Sequence, residues 1–292
     1  MSARARSRAR ALGPSLARAL DRVGADRRLG AAELADRTLR AIAREVARAP
    51  DARSEGPWLA ALARRLDRLQ PAMAVFRRWA RELRGMAGVA GVGRRRRAFD
   101  RWLDRERERP RREAVRLDSV VRRRMPPHAR ILTLSRGSTL RRALEGLPGD
   151  RRPSEIVVLE SRPGGEGRRF AQELRRAGLP ARWVADRRYR AALRGSTAVL
   201  LGADALYPDG TLVHKVGTRR LGNAARRLGV PVYVVSGESK LAARRSPPRA
   251  LPRLFDRTPA RCLSEFWTDR GAFSAGRWRR RWGPARPSAR RA

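Results

Sequence analysis

The sequence predicts an α/β protein, with an N-terminal helical domain over residues 1–125, a parallel-sheet domain over 126–275 and a basic, disordered tail over 276–292. Three observations predict this order. Apolar residues recur at helical spacing through the first part. Beyond it, short continuous apolar runs of strand length alternate with helical patterns, which indicates a parallel sheet covered on both faces. Between the two lies RRRMPPHAR, whose adjacent prolines end one grammar before the other begins.

Taken in order, Ala35, Leu39, Ile42 and Val46 make the first apolar stripe, Leu59, Leu62, Leu66 and Leu69 the second, and Met73, Phe76, Ala80 and Leu83 the third. GMAGVAGVG, from Gly85 to Gly93, breaks the pattern. A heavily charged helix then follows, with an interruption expected near Pro110. The strands read as RILTLS (130–135), EIVVLE (155–160), ARWVA (181–185), TAVLLG (197–202) and PVYVVS (231–236). Phe170, Leu174 and Ala177, and later Leu221, Ala225 and Leu228, mark helices between them. The tail from Gly276 carries seven arginines and no acid, a composition that fits disorder and sequence-independent polyanion contact.

Composition bounds the function. The chain has 292 residues, a net charge of +42 and 41% hydrophobic content, so it can bury a core despite its charge. Of 70 basic residues only Lys215 and Lys240 are lysine, which leaves 68 arginines spread over nearly every segment. That even spread points to a composition bias more than to a dedicated phosphate-binding surface. One cysteine, Cys262, excludes an internal disulfide framework and a cysteine-based zinc cluster, and two histidines exclude a His-rich metal site. Neither metal nor cofactor is expected, and a reducing cytoplasm fits. No run of 18 apolar residues is present to cross a membrane, although the Arg/Ser/Ala-rich start has the look of an organellar transit peptide.

In a parallel sheet of this kind ligands sit beyond the carboxyl ends of the strands, so chemistry is sought there. SRGST (Ser135 to Thr139) follows the first strand as a small polar turn into a helix, with Ser138 or Thr139 the expected cap. ESRPGGEGR follows the second, placing Arg162 beside Pro163, with Gly165 and Gly167 allowing close backbone approach. GAD, with Gly202 and Asp204, follows the fourth, and PDGTLVHKVGT then brings His214, Lys215 and Thr218 along a loop to the next helix.

Together these stretches resemble one family. ESRP…EGR, GAD…DGTLVHKVGT…LGNAARRLGVPVYVVSGESK and LFDRTPARCLSEFWTDRG are similar to the family of translation initiation factor 2B α, β and δ subunits, ribose-1,5-bisphosphate isomerase and methylthioribose-1-phosphate isomerase. The likeness is strong from Ile131 to Gly271 and fainter in LGAAELADRTLRAIA and QPAMAVF. It implies a helical domain followed by a Rossmann-like domain, a homodimer formed through the latter, and a sugar phosphate as ligand of the family's enzymes. It makes Asp204 a catalytic acid or base, places Lys215 and Lys240 on the family's lysine positions, and gives Arg162 and Arg168 forked phosphate contacts. A lysine point charge reaches a phosphate through a narrow strand mouth where the wider guanidinium fits poorly.

The resemblance also exposes three departures. Ser135 stands where the isomerases carry a catalytic cysteine, His214 where the family has asparagine, and Gln70 where an arginine is expected before Pro71. A serine hydroxyl exchanges protons poorly without an adjacent base. The sequence therefore favours a catalytically degenerate relative that keeps a sugar-phosphate or nucleotide pocket, lined by Arg162, Arg168, Gly202, His214, Lys215, Thr218 and Lys240. The alternatives are an aldose–ketose isomerase acting on ribose 1,5-bisphosphate or a related sugar 1-phosphate through Asp204 with Ser135 or His214, and an arginine-rich protein that contacts RNA.

Overall fold

The computed structural model describes residues 12–243, 247–248 and 250–283. These fall into two compact units, Met1–Arg112 and Glu113–Ala292. The sequence places the boundary at 125; the structure moves it into a helix, because the last turns of that helix pack with the sheet.

The first unit holds α1 (Pro14–Ala25), α2 (Ala31–Arg48), α3 (Gly56–Leu69), α4 (Ala74–Ala87) and the start of α5 (Val92–Arg124). The predicted stripes are its core: Leu59, Leu62, Leu66, Phe76, Ala80 and Leu83 are fully buried. Aromatic rings join them edge to face, with Trp58 against Phe99 at 5.9 Å and Trp79 against Trp102 at 6.0 Å between centroids. Gln70, the residue that departs from the family's arginine, is buried, and its side-chain amide donates to the carbonyls of Val23, Gly24 and Asp26. It satisfies the orphan carbonyls at the end of α1. The interruption expected at Pro110 does not occur, and α5 runs through it. Proline removes one hydrogen bond from the helix, at a cost of about 3 kcal/mol. Burial of Phe99, Trp102 and Leu103 before it and of Leu117, Val120 and Val121 after it keeps both halves helical.

The second unit is a doubly wound sheet. Strands β1 (Arg130–Leu134), β2 (Glu155–Leu159), β3 (Ala181–Val184) and β4 (Ala198–Leu201) fall on the predicted runs, as does β7 (Val232–Val235). Between β4 and β7 the chain forms β5 (Ala205–Leu206) and β6 (Leu212–Lys215); β8 (Phe255–Thr258), β9 (Glu265–Thr268) and β10 (Gly271–Ser274) follow β7. The large sheet has the order β10-β9-β7-β4-β1-β2-β3, parallel except for β10, and β5-β6-β8 form a separate antiparallel sheet. Alternate strand residues feed opposite cores, Ile131, Ile156, Val158 and Leu200 on one face and Leu132, Val157, Val199 and Leu201 on the other. Helices α6 (Ser138–Glu145) and α7 (Glu166–Arg176) cover the first face, and α8 (Tyr189–Arg194) and α9 (Thr218–Arg227) the second. The winding reverses between β1 and β4, and this switch point is where such sheets bind ligands.

Two local expectations are corrected. The cap of α6 is Gly137, not Ser138 or Thr139, and no side chain bonds there. Residues Ala275–Trp282 form a helix, α10, although the tail was read as disordered from Gly276. Trp278 is fully buried, and its indole N–H donates to the Tyr207 carbonyl at 2.8 Å. Trp278 and Trp282 lie one turn apart, so an apolar face is present beneath the arginines. The rest of the tail, 284–292, lies outside the described residues.

Candidate functional site

The switch point gathers a charged cluster from five loops. Ser135 follows β1 directly and Ser161 lies just past the end of β2, and both residues adopt left-handed backbone, φ 70° and 68°. Conformations of this kind cost energy for residues other than glycine and persist where the surroundings hold them. Here the holding bonds are visible. The Ser135 N–H donates to Ser161 Oγ at 2.7 Å, the Ser161 hydroxyl donates to the Leu159 carbonyl, and Asp186 accepts from the N–H groups of Ser161 and Arg162.

That turn aims the Ser135 hydroxyl at Glu166, the first residue of α7, with Oγ 3.0 Å from Oε1. The same oxygen receives the ammonium of Lys215 at 2.7 Å. Sequence reasoning put Lys215 on a loop; it ends strand β6 and is only 6% exposed. Glu166 Oε2 is buried and, among the described residues, has no hydrogen-bond partner. Two glycines make room for this carboxylate. At Gly164 an added Cβ would lie 2.3 Å from Glu166 Oε2 and 3.3 Å from Lys215 Nζ, and at Gly167 it would lie 1.9 Å from the Leu159 carbonyl. Glu166 therefore folds over bare backbone while α7 presses against the end of β2, the close approach expected of Gly167.

His214 precedes Lys215 and is also buried. Its Nδ1 lies 3.1 Å from Thr218 Oγ1, and that hydroxyl donates to the Lys215 carbonyl at 2.5 Å. Since the hydroxyl proton is committed, the pairing assigns the ring proton to Nδ1 and leaves Nε2 as an acceptor facing Gly202, where an added Cβ would be 3.5 Å away. Burial, reinforced by the charges of Lys240 and Lys215, pushes the imidazole down to about 3. A ring so hard to protonate is a weak base near neutral pH. Thr218, one of the expected pocket residues, orients His214.

Lys240 lies just past the end of β7 on a short turn. Burial of its charged end lowers its pKa, and the nearby carboxylates of Asp204 and Glu113 oppose that shift. The site thus sets two lysines near carboxylates at the strand mouths, Lys215 in an ion pair with Glu166 and Lys240 in the field of Asp204 and Glu113. The arginines behave differently. Arg162 and Arg168 both reach Glu160, at 3.4 and 2.7 Å, and Arg168 lies over the Trp183 ring at 4.3 Å. They meet at Glu160, which does not support the expected convergence of these two arginines with Lys215.

Of the predicted residues the structure joins Ser135, Gly202, Asp204, His214, Lys215, Thr218 and Lys240, leaves Arg162 and Arg168 on their own carboxylate, and adds Glu166. One signal for Glu166 was present in the sequence, an acid flanked on both sides by glycine at the opening of a helix.

Comparisons with known proteins place the chain in a family. The model of the initiation factor 2 subunit family matches residues 116–249. Ribose 1,5-bisphosphate isomerase of Haloterrigena turkmenica is 30% identical over 233 residues, covering 78% of this chain and 70% of that protein. The chain belongs to the initiation factor 2 subunit family. A second ribose 1,5-bisphosphate isomerase, from Haloferax volcanii, is 30% identical over 215 residues, 73% of this chain. The matched region spans 66% of that relative's length. The Pyrococcus horikoshii translation initiation factor eIF-2B superposes with a TM-score of 0.76 at 22% identity, covering 90% of this chain and 98% of its own. At that identity the likeness speaks to fold, helical part and sheet part alike.

Proposed function

We propose that this family member binds a phosphorylated sugar, or a nucleotide, at the β1/β4 switch point, with its phosphate received by Lys215 and Lys240. The observation that carries the reading is the Lys215–Glu166 pair. An ammonium with 7% of its side chain exposed is kept inside the strand mouth by a carboxylate that uses only one of its two oxygens. An incoming phosphate supplies the charge that Glu166 now supplies, and in this reading it displaces the carboxylate without stranding the lysine. Titration calorimetry with ribose 1,5-bisphosphate, 5-methylthioribose 1-phosphate and ribose 5-phosphate tests this, and absence of heat for all three at millimolar concentration rejects it.

Isomerisation is the second reading, and the Ser135 Oγ to Glu166 Oε1 contact of 3.0 Å favours it. Moving a proton between adjacent sugar carbons needs one base and a second group for the oxygen-bound proton. Asp204 and Glu166, the latter acting through Ser135, provide two carboxylates for those roles. A hydroxyl remains a far weaker acid than a thiol, so turnover of ribose 1,5-bisphosphate is expected to be slow or absent while binding persists. Ser135→Cys should raise any residual rate by up to about 100-fold, and Asp204→Asn should remove that gain. Brisk turnover by the unaltered chain would show that Glu166 has taken over the thiol's work. A homodimer through the sheet unit completes the proposal, with sedimentation equilibrium as its measurement.

A further inference from the structure

A cleft of about 670 Å³ opens between α8 and α9, and none of its lining residues belongs to the switch-point cluster. Arg190 and Arg194 come from α8, one turn apart, and Arg219, Arg220 and Arg227 from α9. Among the described residues no carboxylate lies within ion-pairing distance of any of these five guanidinium groups. Elsewhere in the same unit Arg130, Arg168, Arg182 and Arg270 each meet a glutamate. The one acid lining the cleft, Asp256, is already engaged, accepting from the backbone N–H groups of Gly217 and Arg219.

Two of the guanidinium groups, those of Arg190 and Arg220, are also held in place against Tyr189. Arg220 lies over the Tyr189 ring at 4.8 Å, and Arg190 donates to the Tyr189 hydroxyl at 3.0 Å. Hydrogen bonds from Arg220 and then Arg190 pull the Tyr189 phenol below its ordinary range. Five like charges around one concavity repel one another, and a polyvalent anion can relieve several of them together. Guanidinium forks match phosphate oxygens geometrically. From Arg219 to Arg227 the helix rises roughly 12 Å, and the cleft volume lies within the range of small-ligand sites.

We infer that this cleft is a second anion site, one that takes an oligophosphate chain, either free or carried by a nucleoside triphosphate. The site goes beyond the sugar-phosphate reading and stands independently of it. The recognition is by charge and forked hydrogen bonds along consecutive phosphates; Asn223 also lines the cleft, its Oδ1 accepting from the Cys262 thiol.

The test is calorimetric titration of the full-length chain with sodium tripolyphosphate at fixed salt. Four proteins are compared: the unaltered chain, Arg219→Gln/Arg227→Gln, the equally charge-reduced Arg101→Gln/Arg107→Gln on exposed α5, and Lys215→Ala. One tripolyphosphate per chain is expected. The cleft variant should bind at least about tenfold more weakly, as expected when charge-assisted bonds are lost, while the α5 variant and Lys215→Ala stay within about twofold. Equal affinity for ATP and tripolyphosphate shows that the phosphate chain alone is read, and tighter ATP binding names a nucleoside triphosphate as the source. An equal loss in the α5 variant, or a loss confined to Lys215→Ala, overturns the proposal. So does tighter binding of a single-stranded 20-mer RNA that the cleft substitutions abolish. Failure here leaves the switch-point reading standing, because ribose 1,5-bisphosphate tests that one separately.

Discussion

Glu106 in the helical unit and Glu166 in the sheet unit are both withdrawn from water, and they are completed in opposite ways. Glu106 accepts two bonds from Arg78, at 2.9 and 2.7 Å, one from the Trp79 indole at 2.7 Å, and further bonds from Arg109. Both of its oxygens are engaged by planar arginine forks and a rigid ring. Glu166 has a serine and a lysine on one oxygen and, among the described residues, nothing on the other. A buried carboxylate whose lone pairs are all used is a structural fixture, since any change leaves charges stranded. One that is half used, facing the ammonium of a lysine, can be exchanged for another anion. The choice of lysine at 215 in an arginine-dominated chain belongs to the second situation.

The largest expected effect breaks the comparison on the structural side. Glu106→Ala should destabilise the helical unit by about 3–5 kcal/mol, the usual cost of opening a buried ion pair. Tryptophan fluorescence in urea reads it directly, because Trp79 touches the carboxylate. Burial alone would raise this carboxyl, but bonds and charge from Arg78, with bonds from Arg109 and Trp79, hold it at about 2. Its folded value lies below its unfolded one. The stabilisation is therefore present above about 4.5 and is lost as pH falls toward 2, about 3 kcal/mol in all.

The next effect comes from His214, held at about 3 against an ordinary 6.5. The unfolded chain takes up a proton that the fold refuses. Stability should fall by about 1.4 kcal/mol for each unit below 6.5, a slope that starts before the carboxyl of Glu106 titrates. His214→Asn should flatten urea midpoints between pH 6.5 and 4.5, and an unchanged slope would mean that the ring titrates freely in the fold.

Glu166→Gln sharpens the functional side with a smaller change. Fewer bonds are lost than at Glu106, so the expected cost is about 1–2 kcal/mol. The freed Lys215 should then bind ribose 1,5-bisphosphate about tenfold more tightly, whereas a purely structural pair would give no gain in affinity.

How far these features were legible in the sequence follows from their physics. Strands β1, β2, β3, β4 and β7 lie between covering helices and read as unbroken apolar runs. Strand β6 was missed because LVHK carries two titratable residues in four, and the pattern cannot show that their charges are met inside the fold. Asp204 and Lys215 were legible from their places beyond the strand ends, their roles and Lys240 only through resemblance of motifs. Glu166 was not, since an acid in the first turn of a helix is ordinary and its partner lies 49 positions away, at 215 rather than 166. Arg162 and Arg168 looked available for phosphate because Glu160, on which they close, reads as the end of a strand.

The central claim is that Lys215 is a ligand-binding charge held in reserve by Glu166. Calorimetric titration of ribose 1,5-bisphosphate into the unaltered chain and into Lys215→Ala, with circular dichroism confirming that both are folded, tests it most directly. The account predicts saturable binding in the first and a loss of about tenfold or more in the second, the scale of one charge-assisted contact. Equal affinity in the two proteins would contradict it and would make the Lys215–Glu166 pair a structural device of the same kind as Arg78–Glu106.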